Sequence, residues 1–344
     1  MVRKQETRVK VCFIDDIPSR IQNYLKNQLT NFKDIELIFN ENSDKETLLK
    51  HIADAHILVG WRPTRELLDN ALNMKLFINP GAGIRHLLEM FRCLNEKRTV
   101  FLANGHGNSY FVAQHAVALL LSLMNKIILH HNWMKKGRWR TGDNEAASIP
   151  LRFRKVGLFG YGAINQKVHK MLAGFDIEFS ILRKHWEKQV TKLITPAKKF
   201  EFSQLHDFLK EIDILIIALP VTSLTERIIQ QKELKLLGTN GLVVNVARGE
   251  IIDEKSLYLG LKENLIAGAA IDVWYENYPE SNSDGRKYPY SYPFHTLENI
   301  VLSPHRAYSP FSDLLRWNEV VENILRMSQN GNDYINLVNL DDGY

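Results

Sequence analysis

Four residues in the second half of the sequence are of the types that handle protons and anions. They are Arg248 in NVARGEIID (245–253), Asp272 and Glu276 in AGAAIDVWYEN (267–277), and His305 in LSPHRAYSP (302–310). Each stands at or just after the end of a short apolar run that reads as a parallel strand. In open α/β sheets that edge is where ligands bind. Singly, each has a plain structural role open to it: a surface ion pair for Arg248, a loop histidine for His305, a solvated turn residue for Glu276.

A second chemical signal lies upstream, in VGLFGYGAINQKVH (156–169). Gly160 and Gly162 are spaced as in a phosphate-binding turn, where the first glycine makes the bend and the second lets the backbone approach a pyrophosphate at a helix N-terminus. Asn165 occupies the third glycine position, which predicts a slightly displaced helix and an intact site. The next strand, IEFSILRKHW (177–186), ends in Arg183, Lys184 and His185 where an acid would bond the ribose 2′-OH. Cationic side chains there attract a 2′-phosphate, which favours NADP over NAD; a solvated basic loop is the plain alternative. Beside a nicotinamide, an arginine, a histidine and an acid supply what hydride transfer to a 2-keto acid requires. The arginine pairs with the carboxylate and polarises the keto group, and the histidine gives or takes the proton.

These residues need a scaffold, and the pattern along the chain supplies one. Strand-like runs VKVCFID (9–15), IELIF (35–39), HILVGW (56–61), KLFIN (75–79) and TVFLAN (99–104) alternate with helix-period segments. A second series follows: VGLFG (156–160), IEFSIL (177–182), DILIIAL (213–219), GLVVNVA (241–247), LIAGAAIDV (265–273) and NIVLSP (299–304). Such alternation implies α/β architecture with two doubly wound parallel sheets. Val168, Met171, Leu172 and Phe175 have the spacing of one buried helix face. Residues 110–136 read as a long helix with almost no breakers, 278–295 as a loop, and 312–329 as a helix that returns to the first domain. The expected boundaries are 1–108 with 307–344 for one domain and 109–306 for the other.

At 344 residues, with 45% hydrophobic and 24% charged, the chain reads as an ordinary soluble protein of two domains. The net charge of +5 is spread along the sequence, which argues against a nucleic-acid partner. No secretory signal is evident, no apolar run spans a bilayer, and Cys12 and Cys93 do not make a disulfide scaffold. A cytoplasmic protein is expected. Neither H-E-x-x-H nor G-x-S-x-G occurs, so no metal site is expected.

The sequence resembles the D-isomer-specific 2-hydroxyacid dehydrogenase family over nearly its whole length. The resemblance rests on NPGAGIRHL (79–87), NSYFVAQHAVALLL (108–121), GYGAIN (160–165), ALPVTSLT (218–225), NVARG (245–249), GAAIDVW (268–274) and SPHRA (303–307), in that order. It implies a Rossmann-type NAD(P)-binding domain inserted in a discontinuous flavodoxin-like substrate domain, and a homodimer formed through the cofactor domain. Arg248 would anchor the substrate and His305 would be the acid/base. Asn108, Gly160, Gly162, Ala163, Ile164, Arg183, Lys184, Pro220, Thr225, Ala247 and Asp272 would line the dinucleotide, with Asp272 at its nicotinamide end. The backbone at Ala82 and Gly83 would hold the substrate carboxylate, and Arg62 in GWRPT (60–64) is a candidate for a second anionic group. The family's catalytic glutamate position is Asn277 here, with Glu276 one residue earlier. Either Glu276 reaches His305, or the histidine works without its acid and has a lower pKa. The partner implied is a small 2-keto or D-2-hydroxy acid. A corepressor-like protein that senses the dinucleotide without turnover is the alternative.

Overall fold

The computed structural model describes residues 8–40, 44–139, 146–187, 192–310 and 313–344. It divides into two compact units, 1–108 with 310–344, and 109–309. The second crossing lies three residues beyond the 306/307 expected from the sequence, because Ala307 is buried in the second unit's core and its amide bonds Asp272.

In the first unit, strands β1 (Val9–Phe13), β2 (Ile35–Phe39), β3 (Ile57–Val59), β4 (Leu76–Asn79) and β5 (Phe101–Asn104) form a parallel sheet in the order β2-β1-β3-β4-β5. Alternation along each strand feeds two cores. Val11, Phe13, Val59 and Ile78 face one, and Cys12, Leu58, Phe77 and Leu102 the other. Helix α1 (Ser19–Gln28) covers the first face, while α2 (Lys45–Ala53), α3 (Arg65–Asn70) and α4 (Arg85–Asn95) cover the second. Thr64 caps α3 by accepting the Leu67 amide. The C-terminal helix Asn318–Ser328 returns to the first face through Val320, Val321, Ile324 and Met327, a helical stripe. Of the helix expected at 312–329, residue 312 lies outside the described residues.

The second unit carries seven parallel strands in the order β12-β11-β10-β9-β6-β7-β8: β6 (Lys155–Phe159), β7 (Glu178–Arg183), β8 (Ala197–Glu201), β9 (Ile214–Ile217), β10 (Leu242–Asn245), β11 (Gly268–Ile271) and β12 (Ile300–Leu302). The order reverses at β6, between β7 and β9, which creates the crevice of a doubly wound sheet. Helices α5 (Ser109–Met124), α6 (Ile127–Lys135), α7 (Ala163–Leu172), α8 (Leu205–Glu211), α9 (Gln231–Leu237) and α10 (Glu254–Lys262) complete the unit.

Three sequence expectations change. The long helix breaks at Lys126, whose φ is 54°, and its halves diverge by 63°. The Ile149 amide takes the Met124 carbonyl from outside the helical ladder, and the Asn125 side chain adds a second donor to the Leu121 carbonyl, so the helix ends without a proline or glycine. Strand β8, whose sequence AKKFE is half polar, is an edge strand that the pattern did not announce. Finally, the buried face of α7 is Asn165, Val168, His169 and Leu172, while Phe175 lies past the helix end and is 39% exposed. The spacing is as expected, but the stripe is rotated to bury two polar residues.

Candidate functional site

At the turn after β6, Gly160 has φ +79°, and a Cβ there would stand 2.7 Å from the Ala218 carbonyl oxygen and 2.9 Å from the Leu219 Cβ. Only glycine fits on both counts. A Cβ at Gly162 would meet nothing within 4 Å, so that face of the turn is open. Gly162 is the N-cap of α7, and no side chain caps the helix. Ala163 and Ile164, in its first turn, are half-buried. The free amides of a ten-residue helix thus face open space beside a glycine, which suits a pyrophosphate. Asn165 strengthens the turn: fully buried, its amide donates to the carbonyls of Gly160 (2.7 Å) and Phe159 (3.2 Å), with Ile216 at 3.4 Å.

Arg183 ends β7 and lies 5.4 Å from the Trp186 ring centroid; Lys199 of β8 lies 5.0 Å from the same ring. Trp186 is itself anchored, donating from Nε1 to the Phe200 carbonyl at 3.0 Å. Among the described residues the Nη1 of Arg183 is buried without a hydrogen-bond partner, an unsatisfied donor. Lys184 is exposed. After β9, Thr225 is buried and its hydroxyl donates to the Pro220 carbonyl at 2.7 Å while accepting the Thr222 amide at 2.8 Å, fixing that loop. Asn108 is half-buried.

After β10, the Asn245 side chain shapes the turn carrying Arg248. It donates to the Arg248 carbonyl at 2.9 Å and accepts the Ala247 amide at 3.0 Å. A Cβ on Gly249 would stand 2.4 Å from the Trp274 carbonyl oxygen, so glycine alone lets this turn pack there. The Arg248 guanidinium bonds the Ala247 carbonyl at 2.6 Å, and withdrawal of solvent lowers its pKa, with Glu250 opposing.

Asp272 is the hub of the turns after β11 and β12. Wholly buried, its carboxylate accepts the Ser303 hydroxyl and the amides of Arg306 (2.7 Å) and Ala307 (3.0 Å), with His115 Nε2 at 3.4 Å. Burial pushes its pKa up, but these bonds outweigh burial and hold it below the usual carboxylate range. His305 has φ 55°, a left-handed conformation, and the two amides that follow it converge on the carboxylate. That is how consecutive backbone N–H groups form an anion nest. The strain of a left-handed non-glycine residue, about 1 kcal/mol, is offset by two charge-assisted bonds. Partial desolvation lowers the His305 pKa; Asp272 raises it and Arg248 lowers it further.

The Asp272 side chain has no exposed surface and supports the His305 loop through the amides of Arg306 and Ala307. Glu276 is exposed, its amide tied to the Pro289 carbonyl at 3.1 Å, and the charges acting on His305 are those of Asp272 and Arg248. His115 and Ser303 went unnoticed. The first sits in a predicted helix and the second beside a proline, and only the fold brings them to Asp272.

In the first unit, Asn79 donates to the carbonyls of Gly81 and Gly83, and Asn104 donates to that of Ala82 at 3.1 Å. Because a peptide's N–H points opposite its C=O, holding the carbonyls of 81 and 82 turns the amides of Ala82 and Gly83 the other way. Arg62 is exposed on a segment anchored by Asp15, which accepts the Trp61 amide at 2.8 Å. Among the described residues no cluster of metal-binding side chains occurs.

The family model described as D-isomer specific 2-hydroxyacid dehydrogenase, NAD binding domain, matches residues 117–307. The Arabidopsis thaliana glyoxylate/hydroxypyruvate reductase HPR3 is 30% identical over 258 residues, covering 74% of this chain and 73% of its own. A D-3-phosphoglycerate dehydrogenase of Methanocaldococcus jannaschii is 29% identical over 269 residues, covering 77% of this chain; the match spans about half (48%) of that longer protein. Among solved structures, the D-isomer specific 2-hydroxyacid dehydrogenase of Xanthobacter autotrophicus Py2 superposes with a TM-score of 0.78 at 21% identity, covering 98% of this chain and 100% of its own.

Proposed function

The chain belongs to the D-isomer specific 2-hydroxyacid dehydrogenase family, whose reaction is hydride transfer between NAD(P)H and a 2-keto or D-2-hydroxy acid, and we propose that it performs this reaction with NADP(H). The observation that carries the reading is the Asp272 nest, which holds His305 in a left-handed conformation where the charge of Arg248 reaches it. When bound, the nicotinamide supplies or accepts the hydride. Arg248 pairs with the substrate carboxylate and polarises the keto oxygen, and His305 delivers the proton to that oxygen. Gly160, Gly162 and the uncapped N-terminus of α7 hold the pyrophosphate, with the Asn165 amide keeping the turn in shape. Ala163, Ile164, Pro220, Thr225, Ala247 and Asn108 line the dinucleotide. Arg183, with its unpartnered Nη1, and Lys184 take the 2′-phosphate. In the first unit the amides of Ala82 and Gly83, with Arg62, are donors suited to anionic groups.

Helix α6 supports a homodimer through the second unit. None of its residues is buried, and Ile127, Ile128 and Met134 are 52%, 51% and 58% exposed. Among the described residues no single helix is long and apolar enough to cross a membrane; the proposed setting is the cytoplasm. The test is NADPH oxidation by purified protein offered glyoxylate, hydroxypyruvate or pyruvate. Saturable oxidation with one of them is expected; tight NADPH binding with no oxidation by any 2-keto acid would make it a dinucleotide-sensing protein instead.

A further inference from the structure

Behind the glycine turn lies a buried polar chain that the reaction does not use. Tyr161, the residue between Gly160 and Gly162, bonds His169 Nδ1 through its hydroxyl at 2.8 Å. His169 Nε2 in turn bonds the Thr195 hydroxyl at 2.7 Å. His169 is fully buried, Tyr161 is 5% exposed, and the Phe179 ring of β7 packs on the imidazole with centroids 4.0 Å apart. The backbone amide of Ile194 acts on the same phenol oxygen, and Arg183 is close enough to influence it.

The direction of the chain follows from donor counting. The Thr195 hydroxyl donates to the Pro196 carbonyl at 3.5 Å, so it accepts the Nε2–H of His169, and Nδ1 of the neutral ring then accepts the Tyr161 hydroxyl. Burial keeps the ring uncharged, pushing the His169 pKa down to about 4. One end of the chain is the proposed pyrophosphate turn; the other is 192–196, the segment that leads into β8, whose first residues pair with β7.

We propose that the Tyr161–His169–Thr195 chain is a positioning device that ties the segment 192–196 to the phosphate turn and so sets the affinity for the dinucleotide, without touching the transferred hydride or proton. This rests on the reading that the β6 turn binds NAD(P). Its physical effect is preorganisation: ordering of the segment is complete before the cofactor arrives and is not subtracted from binding.

The test is Thr195→Val, which keeps the shape, removes the hydroxyl and leaves the His169 Nε2–H buried without an acceptor. Thr195→Ser restores the hydroxyl, and Tyr161→Phe cuts the chain at its other end. Dissociation constants for NADPH and NADH are measured by tryptophan quenching, alongside kcat and both KM values. The expected result is about tenfold weaker dinucleotide binding in Thr195→Val and Tyr161→Phe. Dinucleotide KM should rise, with kcat and keto-acid KM unchanged, and Thr195→Ser should return to the wild-type value. Wild-type affinity in Thr195→Val, a fall in kcat instead, or no rescue by serine would overturn the inference while leaving the cofactor reading intact. Failure of the wild type to bind either dinucleotide would overturn both.

Discussion

Two groups of turns that follow strands of the second unit's sheet solve the same problem with different materials. At the β6 turn, the groups expected to meet a ligand are backbone atoms: the open face of Gly162 and the uncapped amides of α7, held from below by the side chains of Asn165 and His169. At the edge formed by β10, β11 and β12, the corresponding groups are side chains, Arg248 and His305, held from below by Asn245 and Asp272. In both places a buried, almost fully bonded polar residue fixes an exposed neighbour. The difference lies in charge. The hubs at the turn are neutral, whereas Asp272 is a buried carboxylate whose position depends on four donors. Rigid backbone suits a site that only binds, while a tuned charge suits one that moves a proton.

The sharpest way to break the comparison is to remove the proposed proton donor. His305→Gln should lower kcat by about 10²–10⁴-fold and leave the NADPH dissociation constant within twofold of wild type, read by steady-state kinetics and quenching. Asp272→Asn keeps the volume but cannot satisfy the nest amides and the Ser303 hydroxyl as a carboxylate does. A stability loss of about 3 kcal/mol is expected in denaturant titration.

The neutral hub gives an opposite pH signature. His169 has a folded pKa of about 4 against about 6.5 unfolded, so its contribution is complete above pH 6.5 and disappears as pH falls toward 4. The loss is about 3 kcal/mol across that window, and His169→Gln should flatten it in pH-dependent melts of the second unit's core. For His305 the direction of the shift sets the rate profile. Its pKa is lowered, so keto-acid reduction, which needs the imidazolium, should fall with rising pH through a midpoint below about 6.5. Arg183→Asp should cancel an NADPH preference of about tenfold, or about 1.4 kcal/mol. Smallest of all, Glu276→Gln should change kcat less than twofold, since Asp272 and Arg248 are the charges that act on His305.

Apart from the half-polar edge strand β8, the strands were legible because buried parallel strands are continuous apolar runs, and the order of β6, β10, β11 and β12 carries the motifs of the site. Arg248, His305 and the two glycines could be read for the same reason: they sit where strands end. What escaped was everything that depends on tertiary partners. Asn165 reads as a bulky substitute for glycine, yet its amide ties the turn to the carbonyls of Gly160 and Phe159. Nothing local to Asp272 announces that its oxygens accept bonds from residues 31 to 35 positions away. His169 falls at a position where an apolar residue would have served packing, and its two partners, eight and 26 residues distant, leave no local periodicity to detect.

The most direct test of the account pairs binding with turnover in the same samples: NADPH quenching and NADPH oxidation with glyoxylate or hydroxypyruvate, for the wild type and His305→Gln. The account predicts that both proteins bind NADPH alike and that only the wild type oxidises it at a saturable rate. A wild type that binds without turning over, or a His305→Gln variant that keeps the wild-type rate, would contradict it.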